Sequence, residues 1–153
     1  MAWPGKSQML TYTILNQMNQ GASVQTCSSD QYYIALYGNG TPVNTGTTLV
    51  STEYGATWNT CTEVSNSGTY VAGGASVTAP TSTQSGNIWQ FACTTPNSWT
   101  SATISAYGAL VYDFTKAPAK PGLVYLDFLG QQSVTSGTFT VTYQPLIAEI
   151  TAT

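Results

Sequence analysis

Ser101-Ala102-Thr103-Ile104-Ser105-Ala106-Tyr107-Gly108-Ala109-Leu110-Val111-Tyr112-Asp113-Phe114-Thr115 is the stretch from which the fold is read. Ala102, Ile104, Ala106, Gly108 and Leu110 fall at every second position, and a pleated strand sends such residues to one face. From Leu110 to Phe114 the run is nearly all apolar. Such a run implies cover on both faces, so this is a central strand.

Downstream, Lys116 to Gly122 contains Pro118 and Pro121 and reads as a stiff turn. Leu123 to Leu129 is a second central strand, and Gln131 to Gly137 reads as a polar hairpin connection. Phe139, Val141 and Tyr143 alternate with Thr140 and Thr142, the pattern of a half-buried strand. Pro145 ends it, and Ile147 to Ile150 is an edge strand.

Upstream, Ile88 to Cys93 reads as a strand. Tyr70 to Ala72 and Ala75 to Thr78 are strand pieces around Gly73-Gly74, a bulge or turn. Thr60 to Val64 is a short strand. Tyr32 to Tyr37 is another, closed by Gly38-Asn39-Gly40, with a Gly/Thr loop at 41–48. About seven to nine short strands separated by turn signals predict a mainly β fold, an antiparallel β-sandwich or jelly-roll-like single domain.

Residues 7–20 carry a different period. Leu10, Ile14 and Met18 recur at i, i+4 and i+8, with Ser7 placed to cap and Gly21 to terminate. A short helix is predicted, within an arm of residues 1–21 that precedes a β domain of residues 22–153. Its single apolar stripe must pack on that domain or on a neighbouring subunit.

Composition narrows the chemistry. The chain has 153 residues, enough for one domain with a substantial core. It is 42% hydrophobic but only 6% charged, against roughly 25% for an ordinary domain. It has no His and no Arg, and its only side-chain cations are Lys6, Lys116 and Lys120. Three dispersed lysines cannot form a phosphate-binding surface, so nucleic acid is not an expected partner. Without His, the usual Ser-His-Asp and Cys-His nucleophilic arrangements are impossible.

No metal or cofactor is expected either. Cys27, Cys61 and Cys93 are widely spaced, with no CxxC pattern, and read as reduced, partly buried thiols acting as small apolar residues, with one disulfide and a spare thiol as the alternative. No phosphate-loop spacing occurs. Asp113 and Asp127, in neighbouring central strands, raise the idea of a paired-carboxylate hydrolase. The commoner use of such residues is to accept backbone N–H bonds, and Glu53 and Glu63 read as loop or solvent-face charges. The expectation is a non-enzymatic protein.

No apolar run is long enough to span a membrane. The first residues lack a basic region followed by an apolar stretch, so synthesis and folding in a cytoplasm are expected. Trp89 reads as core. Trp3, Trp58 and Trp99 lie near turns or before the helix and are candidate interface anchors, together with Leu10, Ile14 and Met18 on the helix stripe.

The second half carries the segments Trp99-Thr100-Ser101-Ala102-Thr103-Ile104, Tyr107-Gly108-Ala109-Leu110-Val111-Tyr112, Leu123-Val124-Tyr125-Leu126-Asp127-Phe128-Leu129-Gly130 and Val134-Thr135-Ser136-Gly137-Thr138-Phe139-Thr140-Val141. In this order they resemble a family of small bacteriophage virion structural proteins. The resemblance is clear from residue 99 onward and weak over 40–90. It implies a virion component without catalysis, made in the host bacterial cytoplasm. The reading it favours is a capsid decoration, or cement, protein on the capsid surface, with the major capsid protein as partner and a homotrimer as its assembly. The alternative is a tail or fibre component binding a host receptor or glycan. Family members usually carry Arg in the strand matching Ser105 to Tyr112, and this chain has none there.

Overall fold

The computed structural model describes residues 8–9, 30–39, 54–55, 57–58, 61–78, 80–85, 88–93, 95–115, 120–143 and 148–151. Among them the chain is mainly β and contains no helix. The strands are β1 (Gln8–Met9), β2 (Tyr32–Asn39), β3 (Thr57–Trp58), β4 (Cys61–Glu63), β5 (Ala75–Ser76), β6 (Thr81–Ser85), β7 (Ile88–Ala92), β8 (Asn97–Asp113), β9 (Gly122–Val141) and β10 (Ala148–Thr151). One sheet runs β1-β9-β8-β2-β4-β3, with β5 also on β2, and a second runs β10-β7-β6. Their pairings are antiparallel.

The decisive stretch forms most of β8, a strand of 17 residues. From Gly108 to Asp113 every residue is buried, as the apolar run from Leu110 predicts, but Phe114, which closes that run, lies beyond the strand and is exposed. The pleat divides β2 between two cores. Ile34 and Leu36 join Ala109 and Val111 on one side. Ala35 and Tyr37 join Leu110, Tyr112 and Tyr125 on the other. Each of these large side chains contributes about 1.5–3 kcal/mol by leaving water.

Several expectations change. Of the segment predicted as a helix, Gln8–Met9 is extended and pairs with Tyr125 and Val124; the rest lies outside the described residues. An edge of β9 offers backbone partners that a helical stripe cannot use. Nor do residues 131–137 form a hairpin connection, since β9 runs unbroken for 20 residues. Its polar middle stays in the ladder, with Ser133 opposite Ser105 and Gln132 opposite Ala106. Irregularities absorb the mismatch: Ser101, Leu129, Gly130 and Ser136 all have positive φ. Gly38 and Asn39 belong to β2 and do not close it. Tyr70 forms only an isolated bridge with Ser67. β6, Thr-Ser-Thr-Gln-Ser, has no apolar residue to announce it and is a strand because β7 pairs along its whole length.

Candidate functional site

The second edge of β2 is shared between two partners. β5 pairs at Tyr33–Ile34 and β4 from Tyr37 to Asn39. Between them the backbone of Leu36 needs other partners. Its carbonyl accepts from the Val64 amide at 2.9 Å, and its amide donates to the Tyr70 hydroxyl at 2.9 Å. A side chain fully buried in the core therefore completes a backbone ladder.

The Tyr70 hydroxyl in turn donates a hydrogen bond to Glu63 Oε1 at 2.9 Å. The same oxygen accepts from the Gly73 amide at 2.5 Å, and Oε2 accepts from the Tyr54 hydroxyl at 2.8 Å. Glu63 is only 8% exposed. This corrects its reading as a loop or solvent-face charge: three donors replace the water that a buried carboxylate would otherwise lose. Around it Tyr112 donates to the Gly73 carbonyl at 2.8 Å and stacks on Tyr54 with ring centroids 4.2 Å apart. Tyr37 donates to the Gly55 carbonyl at 2.9 Å.

Burial raises the hydroxyl pKa of Tyr37, Tyr54, Tyr70 and Tyr112, and the Glu63 charge adds to the rise. All four remain neutral donors near neutral pH. Burial also pushes the Cys61 thiol up to about 11 and the Cys93 thiol up to about 12. Thiols held protonated in this way are poor nucleophiles. Cys27 lies outside the described residues.

The two aspartates are used locally. Asp113 Oδ1 accepts from the Thr115 amide and Asp127 Oδ1 from the Leu129 amide, each at 2.8 Å. Both bonds reach two residues along the chain, the geometry of an Asx turn. Asp127 faces Gly108 in the ladder. Asp113 sits five residues further along β8, on the order of 16 Å away at ordinary strand rise. That spacing is outside the range for a paired-carboxylate glycosidase. Among the described residues no three His, Cys, Asp or Glu side chains gather to hold a metal ion.

The candidate anchors meet different fates. Trp99 is 2% exposed, with its ring edge-on to Tyr70 at 5.3 Å between centroids. It belongs to the chain's own core and offers no surface for a partner, because β8 begins at Asn97 and carries it inward. Trp58 lies in β3. Trp3, Leu10, Ile14 and Met18 lie outside the described residues. Sequence reasoning missed two positions. Asn97, read as turn punctuation, is buried; it donates to the Ser76 carbonyl at 2.9 Å and accepts from the Tyr143 hydroxyl at 2.6 Å. Leu129, read as the end of a strand, is 76% exposed.

Comparison of the chain with protein-family models, with curated proteins and with solved structures finds no match.

Proposed function

We propose that this chain is a non-enzymatic structural protein of a bacteriophage particle, a decoration protein that binds the major capsid protein on the outside of the shell and stabilises it. The observation that carries this reading is the use made of the carboxylates. Glu63 is committed to two tyrosines and a backbone amide, while Asp113 and Asp127 each hold a local amide. With these three carboxylates engaged within the fold, in a chain only 6% charged, partners are met mainly through shape, apolar contact and neutral hydrogen bonds. A surface with little net charge also does little to keep neighbouring copies apart, which suits dense packing in an assembly. The order of the resembling segments supports the virion setting.

The same reading takes the two sheets as the layers of a β-sandwich of jelly-roll type. Two sheets sharing an apolar interior are the common way for strands of this composition to bury their inner faces.

The test is stoichiometry. Quantitative mass spectrometry of purified particles should find a copy number that scales with the major capsid protein, and particles lacking the chain should open at lower temperature. A handful of copies per particle would reject the shell site and favour the tail or fibre.

A further inference from the structure

The ladders on both sides of β8 end or slip at one residue, Tyr107. The pairing with β2 ends at Tyr37↔Gly108. On the other side, between Gly108↔Asp127 and Ala106↔Gln132, β8 advances two residues and β9 advances five. The extra residues of β9 bulge out opposite Tyr107, where Leu129 has φ of 59° and Gly130 of 138°. β2 is irregular at the same level, since its register on β4 shifts between Tyr37 and Asn39.

These irregularities meet at one concavity of about 440 Å³, lined by Gly38, Thr62, Ser65, Ser105, Tyr107 and Gln131. Small-molecule sites occupy roughly 300–1,000 Å³, and bulges beside such sites re-aim side chains. Gly38 keeps the concavity open. Its φ is not positive, so what its missing side chain provides is room. A Cβ there would stand 3.1 Å from the Ser105 carbonyl oxygen and 3.7 Å from the Val64 side chain, both in the wall.

The lining is of one chemical kind. Tyr107 brings an aromatic side chain, half-buried and packed against the cluster of Tyr37 and Leu110. Gln131 brings an amide, positioned by its bond to Ser105 Oγ, to which Ser133 also donates. Thr62 and Ser65 are exposed and add hydroxyls. The one charged residue in the wall is Glu63, and both its carboxylate oxygens are engaged with Tyr54, Tyr70 and Gly73. A sugar ring has a face of C–H groups that lies on an aromatic ring and a rim of hydroxyls that exchange hydrogen bonds with amides and hydroxyls. An acidic sugar would find no cation in this wall. A wholly apolar ligand would strip water from its polar groups and return no hydrogen bond.

We propose that this concavity is a binding site for one ring of a neutral glycan, with Tyr107 as the stacking surface and Gln131 and the neighbouring hydroxyls as hydrogen-bond partners. The site rests on its own lining and does not depend on where the chain sits on a particle; stoichiometry in particles and sugar binding by the isolated chain fail separately.

The test is amide chemical-shift mapping of the intact chain with the methyl glycosides of glucose, galactose, mannose and N-acetylglucosamine, and with methyl glucuronide as the charged comparison. At least one neutral glycoside should shift the amides of Gly38, Tyr107 and Gln131, with a Kd on the order of 1 mM for a ligand of this size. Gln131→Ala, at an exposed position, should weaken binding about 5-fold, the worth of one hydrogen bond. Tyr107→Ala should weaken it about 10-fold or more by removing the ring, while Tyr107→Phe should retain most of it. Val71→Ser, an exposed residue outside the concavity, should bind as the unaltered chain does. Absence of shifts with every neutral glycoside would overturn the proposal, as would shifts confined to other residues. So would tighter binding of the glucuronide, or binding unchanged by Gln131→Ala and Tyr107→Ala alike.

Discussion

Tyr70 joins two networks through one oxygen. It accepts from the Leu36 amide, where the β2 ladder is interrupted, and donates to the buried Glu63 carboxylate. Tyr70→Phe removes both bonds and leaves a buried N–H and a buried carboxylate each short of a partner. Unsatisfied buried groups cost more than the net worth of the bonds they lose, so a destabilisation of about 3 kcal/mol is expected. Tyr54→Phe removes one bond from Glu63 at a half-buried position, where water can replace it, and should cost about 1 kcal/mol. Urea denaturation of the two variants checks the order. Equal losses would mean that the Leu36 amide finds another partner. None of this was legible in the chain. Glu63 reaches Tyr54, Tyr70 and Gly73 over separations of 9, 7 and 10 residues, and a side-chain hydrogen bond leaves no periodic mark. What was legible is the use of Asp113 and Asp127, because an aspartate bonding the amide two residues on needs only local backbone.

At the scale of elements, runs of β-forming residues located β2 and β7, alternation located the middle of β8, and the two ends of β9 were read as separate strands while its polar middle was missed. β8 and β9 pair from Asn97↔Val141 to Tyr112↔Gly122, with four shifts of register along the way. Each shift hides the alternation for a few residues, and Gln131 to Gly137 consequently reads as a connection. Polarity is a poor guide where a strand has one face in water. The docking of β5 on β2 rests on a glycine that the chain did advertise. A Cβ on Gly74, whose φ is 75°, would stand 1.8 Å from the Ile34 carbonyl oxygen. That oxygen is backbone within the core strand, so β5 must move away. Gly74→Ala should cost roughly 3 kcal/mol and raise hydrogen exchange at the Val77 amide, which bonds Tyr32. Gly55→Ala, with nothing near its Cβ, is the neutral comparison.

At the scale of the whole molecule, a buried cluster lies on each face of the central sheet among the described residues, and each cluster holds a buried thiol. Cys93 lies with Ile34 and Trp99, and Cys61 with Tyr37 and Tyr112. Burial raises both thiols from 9.0, to about 11 for Cys61 and about 12 for Cys93. The folded state therefore binds these protons more tightly than the unfolded chain does. Their contribution to stability is complete below pH 9 and declines as pH climbs from 9 toward 11 and 12, where ionisation must accompany unfolding. Melting temperature should be insensitive to these thiols from pH 6 to 8 and fall above 9, and Cys93→Ala should flatten part of that fall. At pH 8 neither thiol should react with a disulfide reagent until denaturant is added; rapid labelling of native protein would contradict the burial.

Composition and alternation were enough to establish a mainly β chain, a doubly covered central strand and a scarcity of ionisable groups, since these are properties of residue identity and of spacing two apart. The register of β9 against β8, the gap in β2 that Tyr70 fills, the burial of Glu63 and Trp99 and the exposure of Leu129 came only with the folded chain. Each depends on which distant residue stands opposite, and a bulge of a few residues reassigns every such neighbour beyond it without changing the local pattern.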